Sequence, residues 1–209
     1  MSTRSYESGL RTEQARLTRA RIVDAARALL LDGGYEAMTM AALARAADVS
    51  TQTIYNAVGG KAAVIKAAYD VTLAGDDDPR PMIERPEFSA LVTATDPATM
   101  LRAYAAFSRR IGERVGPLLA ALGANADEEV RAFTSTIEDE RLRGNGSMVA
   151  QLARRVGLPK GMSRQRATDI VWALTAPELF ARLVRQRGWT PAEYERWLGD
   201  ALIDALVAA

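Results

Sequence analysis

Apolar residues recur with helical spacing along most of the chain. Ile22, Ala25, Ala26, Leu29 and Leu30 keep to positions i, i+3, i+4, i+7 and i+8, which predicts a helix starting near Leu17. Gly33-Gly34 stop it. Thr39 then caps a short helix carrying Leu43, Ala44 and Ala47, Asp48-Val49 make a tight turn, and Ser50 caps a third helix that ends at Gly59-Gly60. A fourth spans about Lys61 to Ala74. Residues 75–96, which include three adjacent aspartates and several prolines, break helix and predict a linker. The aspartates have no other ligand nearby and are assigned to a solvated hinge rather than to a metal.

Asp96-Pro97 have the form of an N-cap and first helical residue for a helix to about Val115, with Met100, Tyr104, Phe107 and Ile111 on one face. Gly116-Pro117 and Gly123 bracket a predicted short helix. A charged helix from about Asp127 passes Phe133 and Ile137, and Gly144-Asn145-Gly146 predict a bend or break before Met148–Val156. Ser163 caps a helix reaching Val184 that Pro177 should kink. Gly188 closes it. Thr190 and Glu193 form a capping box, Pro191 takes the first position, and Trp189 with Tyr194 form a hydrophobic staple. Behind them Tyr194, Trp197, Leu198, Ala201, Leu202, Ala205 and Leu206 make a nearly unbroken apolar stripe. No strand pattern occurs. The expected fold is all-α, about nine helices, with an amino-terminal three-helix unit and a helical body.

Composition narrows the chemistry. The 209 residues contain no Cys and no His, so disulfides, thiolate chemistry, common zinc sites and the usual neutral-pH base are excluded. No catalytic, metal or cofactor site is expected. Glu138, Asp139 and Glu140 are adjacent and point to different faces of a helix, so they do not make an acid/base pair. No long apolar run predicts a membrane span, and the amino terminus lacks signal-peptide character, so the expected compartment is the cytoplasm. The net charge is only +1, but its distribution is uneven. Residues 1–66 carry nine basic and six acidic residues, the remainder 18 and 20. A basic end on a mildly acidic body suits an anion-binding end.

Two short helices joined by a tight turn behind a basic helix describe a helix-turn-helix, at about 39–58. Val49 and Ile54 staple the second helix and point inward. Thr51, Gln52, Thr53, Tyr55 and Asn56 remain outside. Hydroxyls and amides are the groups that read base edges and bind phosphates. Gln52 and Asn56 could each pair with adenine, and the Thr methyls could touch thymine methyls. On this window alone, an ordinary capped surface helix fits equally well.

The run RIVDAARALLLDGGYEAMTMAALARAADVSTQTIYNAVGGK, residues 21–61, resembles the amino-terminal domain of TetR-family regulators. Gly34-Tyr35, Thr39, Val49-Ser50, Ile54-Tyr55 and Lys61 match in spacing. The resemblance implies a DNA-binding domain over 1–66 and a ligand-binding and dimerisation domain over 67–209. It also implies roles. Thr39 contacts a phosphate. Ser50 caps the reading helix, whose Gln52 and Asn56 face bases beside Thr51 and Thr53. Tyr55 meets the backbone and Lys61 a phosphate, while Arg16, Arg19 and Arg21 approach the duplex as positioning charge. Three positions depart from the family pattern: Asp48 stands for the turn glycine, Val58 for an aromatic, and Gly59-Gly60 for Pro-Ser.

The partners so implied are a palindromic double-stranded operator, a second copy of the chain and a small-molecule effector of unknown identity, with repression as the default sign. Phe180, Leu183, Val184, Trp197, Leu198 and Leu206 are candidates for the dimer interface, and equally for core. Met100, Tyr104, Phe107, Phe133, Met148 and Trp172 are candidates for an effector pocket, with Arg110, Arg141 or Asn145 as a polar contact. Packing explains each of these as well. A ligand-independent helix-turn-helix regulator, or less plausibly a carboxylate enzyme, are the alternatives.

Overall fold

The computed structural model describes residues 3–75, 93–94, 96–123 and 127–207. In chain order the helices are α1 (Thr3–Ala37), α2 (Met40–Ala46), α3 (Thr51–Ala57), α4 (Lys61–Ala74), α5 (Pro97–Leu122), α6 (Glu128–Val156), α7 (Arg164–Leu174), α8 (Pro177–Phe180) and α9 (Pro191–Leu206). A π-helical turn, Ala181–Gln186, continues α8. The described residues contain no strand, so the fold is all-α. The three aspartates and most of the predicted linker lie outside the described residues.

Two compact units divide the chain. The first comprises Met1–Asp77 with Pro117–Phe133, the second Asp78–Gly116 with Thr134–Ala209. In the first, α1 packs on α2, α3 and α4. Its apolar stripe supplies the buried side chains Ile22, Val23, Ala26 and Leu30, joined in burial by Leu43, Ile54, Val64 and Ile65. Gly34 interrupts α1 with φ 72° and ψ −171°, a left-handed conformation that favours glycine. Tyr69 meets Phe133 edge-on, ring centroids 5.5 Å apart.

In the second unit the core gathers Met100, Leu101, Tyr104, Met148, Leu152, Val171, Phe180, Tyr194, Leu198 and Leu202. α5 and α9 approach closely at Gly199, where an added Cβ would lie 3.4 Å from Arg102 Cγ. The ion pairs Arg102–Asp200 (2.9 Å) and Arg109–Glu195 (2.6 Å) flank that contact. Gly112 has the same use: a Cβ there would fall 2.6 Å from the Phe180 ring. The predicted caps are in place. Asp96 accepts from Thr99 N–H, Ser163 from Arg166 N–H, and the Thr190–Glu193 box closes in both directions. Trp189 packs edge-on against Trp197, centroids 5.9 Å apart.

Three predicted boundaries are corrected. Gly116-Pro117 do not end a helix; α5 runs through them for 26 residues. The apolar stripe runs across the proline, from Val115 before it to Leu118 and Leu122 after it, all buried, and that burial offsets a cost of about 3 kcal/mol for an interior proline. Gly144-Asn145-Gly146 do not break α6, a single helix of 29 residues. Asn145 is buried, accepts a hydrogen bond from the Tyr104 hydroxyl and donates to Thr175 Oγ1 at 3.5 Å. Pro177 does not kink one long helix but starts a new one. Ala176 before it is extended (φ −60°, ψ 129°), the conformation a following proline imposes.

Candidate nucleic-acid interface

Local chemistry explains the helix-turn-helix. Thr39, extended at φ −86° and ψ 154°, caps α2 by accepting from Ala42 N–H at 3.1 Å. The turn closes when Val49 N–H donates to Ala44 C=O at 3.0 Å. Asp48 sits at φ 50°, the left-handed region that its short polar side chain tolerates better than most. Ser50 then caps α3, its Oγ accepting from Thr53 N–H at 3.0 Å and lying 2.8 Å from Thr53 Oγ1. Ile54 is fully buried and pins the inner face.

The outer face of α3 is polar and free of charge. Thr51, Gln52, Tyr55 and Asn56 are exposed, Tyr55 by 53%, and Thr53 is half-buried. Gln52 Nε2 donates to Asn56 Oδ1 at 3.0 Å, so the two amides form one unit along the helix. At the far end Val58 leaves helical geometry (φ −130°), Gly59 takes φ 124°, and Gly60 starts α4 without a side-chain cap. The junction after α3 is therefore held by backbone bonds and by one long-range contact, Arg19 Nη1 donating to Ala57 C=O at 3.0 Å. No sequence pattern announces a bond between residues 38 apart. Of the three arginines expected to approach DNA, Arg19 makes this tether, Arg16 pairs with Glu13 at 2.8 Å and Arg21 is exposed.

Lys61 has internal partners. Its Nζ donates to Tyr35 C=O at 3.3 Å and stands 3.5 Å from the centre of the Tyr35 ring. Burial, reinforced by a hydrogen bond to the Asp127 carboxylate, raises the Tyr35 hydroxyl to about 12. Asp127 is lowered, chiefly by the Glu129 N–H and then by Tyr35 and Lys61. This cluster fixes the end of α1 to the starts of α4 and α6.

The pocket candidates are divided between the two units. Met100, Tyr104 and Met148 share the core of the second unit, with Phe107 packed beside them. Phe133 belongs to the first unit, against Tyr69. Trp172 is 37% exposed, with the Arg141 guanidinium over its ring at 5.7 Å. Among the dimer candidates, Phe180, Leu198 and Leu206 are buried within the chain itself, while Leu183, Val184 and Trp197 are half-buried.

Residues 22–68 match the family described as bacterial regulatory proteins, tetR family. The match spans the end of α1, the whole helix-turn-helix and the start of α4. Residues 22–68 are thus similar to the DNA-binding domain of that family. Two solved structures of similar fold extend the likeness over the body. Native NalD, the secondary repressor of the MexAB-OprM multidrug efflux pump in Pseudomonas aeruginosa, is 20% identical. It covers 93% of this chain and 98% of its own, with a TM-score of 0.65. A transcriptional regulator from Rhodococcus sp. Rha1 is 14% identical over 91% of this chain and 98% of its own, TM-score 0.59. No curated protein matches the sequence. Among the described residues no helix is long and apolar enough to cross a membrane.

Proposed function

We propose that this protein is a regulator of the TetR family, a cytoplasmic, sequence-specific repressor that binds a palindromic operator as a homodimer and is released by a small-molecule effector. The observation that carries the reading is the outer face of α3. It is a short helix, capped and anchored from within, that turns only hydroxyls and amides outward. Thr51, Gln52 and Asn56 face base edges, and Tyr55, Thr39 and Lys61 meet the backbone, Lys61 by exchanging its bond to Tyr35 for one to phosphate. The reader lies within residues 1–66, and residues 67–209 serve the effector and the partner copy. The half-buried Leu183, Val184 and Trp197 face the partner, and the effector enters among Met100, Tyr104, Phe107 and Met148. Release is a population shift: the effector favours a spacing of the two readers that the operator does not. NalD's role as a repressor favours repression as the sign.

Selection of bound sequences from random duplex DNA tests this reading. The expected product is a palindrome with half-site centres about 34–36 Å apart, or a multiple of that. Enrichment of no sequence would overturn it.

A further inference from the structure

Gln52 and Asn56 are joined by the bond from Nε2 to Oδ1 at 3.0 Å, and both side chains are exposed. Two free amides offer two carbonyl oxygens and two NH2 groups. Once one N–H of Gln52 is committed to the Asn56 oxygen, an unshared carbonyl (Gln52 Oε1), a complete NH2 (Asn56 Nδ2) and the second N–H of Gln52 are left. Exchanging O and N on both amides leaves the same outward set with the residues' roles swapped. The unit therefore presents a single unshared carbonyl together with amide donors, whichever way the amides are turned.

In the major groove adenine shows a donor, N6–H2, beside an acceptor, N7. Guanine shows two acceptors, cytosine a single donor, and thymine an acceptor beside a methyl group. Adenine alone supplies a donor for the unshared carbonyl and an acceptor for an amide N–H; guanine would leave that carbonyl unpaired. We infer that Gln52 and Asn56 act together as one specificity element that reads a single adenine in each half-site, rather than as two independent contacts to two bases. The inference rests on α3 being the DNA-reading helix. The bond between the amides fixes both side-chain rotamers before contact, so less freedom is lost on binding.

The experiment is selection from random duplex DNA with the wild-type full chain, Gln52→Ala, Asn56→Ala, the double variant and Gln52→Glu. Thermal unfolding of each variant serves as a control for folding. Wild type is expected to enrich adenine at one position of each half-site. Both alanine variants should lose the preference at that same position, with affinity for the wild-type site reduced about 5- to 150-fold per half-site. The double variant should bind no more than a few-fold worse than the poorer single. In Gln52→Glu the Asn56 NH2 must donate to the new carboxylate, so the outward face becomes mainly acceptor, with one N–H of Asn56 left, and the preference should move from adenine towards cytosine. A palindrome in which the two alanine variants relax different positions, or in which neither changes any position, overturns the inference but not the regulator reading. No enriched sequence with wild type overturns the regulator reading itself.

Discussion

Replacing Arg19 by Met separates two roles for this residue, the approach to phosphate that the family resemblance implies and the tether to Ala57 that the structure shows. α3 has seven residues, too few to hold a helix in water, so its shape is set by what it touches. Three things hold it: the Ser50 cap, the buried Ile54, and the Arg19 bond to Ala57 C=O at 3.0 Å. A charged donor at the carboxyl end of a helix also meets the negative end of its dipole. Such bonds contribute about 1.5–3 kcal/mol when well protected, and exposure lowers this one to roughly 1 kcal/mol. For a chain of 209 residues that is a fall of about 2–4 °C in unfolding midpoint. Specific affinity should fall by at most about fivefold per reader, because roughly 1 kcal/mol is about a fivefold population change. The salt dependence of DNA binding should not move. Were Arg19 a phosphate contact, the slope of log K against log salt would flatten by about 0.9 per protomer. Calorimetric unfolding together with binding titrations at several salt concentrations decides. A flattened slope with an unchanged midpoint refutes the tether.

Three further outcomes are expected. Tyr104→Phe removes the hydroxyl that donates to buried Asn145 and should cost about 1–3 kcal/mol in urea unfolding, with Tyr104→Phe/Asn145→Leu costing less than the sum of the singles. Asp48→Gly should stabilise by about 0.5 kcal/mol, because relief at φ 50° is partly offset by the added freedom of the unfolded chain; a loss of stability would show that the Asp side chain holds the turn. Glu193 lies below its ordinary 4.5 because it accepts from the Thr190 N–H and hydroxyl. Its charge therefore contributes fully above about pH 4.5 and is lost as pH falls through the lowered value. The stability margin of wild type over Glu193→Gln should shrink on acidification over that window and stay constant from pH 5 upward, measured by chemical denaturation.

What the sequence makes legible here is local. The Ser50 and Thr39 caps, the Thr190–Glu193 box and the Asp48 turn each involve residues within a few positions, and each stands where spacing predicts it. What it hides is decided at a distance. Gly116-Pro117 and Gly144-Asn145-Gly146 carry local costs that burial of Leu118 and Leu122, and the hydrogen bonds of Asn145, outweigh. Pro177 breaks more sharply than predicted because the residue before it is forced extended. The Arg19 tether and the grip of Lys61 on Tyr35 join positions 38 and 26 apart, beyond any periodic pattern. Phe133 sits on a helical stripe like Tyr104, and only the packing shows that it meets Tyr69.

The central claim is that the outer face of α3 reads sequence. The most direct measurement is the ratio of affinities for the selected palindrome and for a scrambled duplex at one fixed salt concentration. It should be made for wild type and for a variant carrying Ala at Thr51, Gln52 and Asn56. Wild type should show a ratio of about 10³ or more, and the variant should collapse toward unity while its affinity for the scrambled duplex stays unchanged. A ratio that survives the triple substitution would contradict the account.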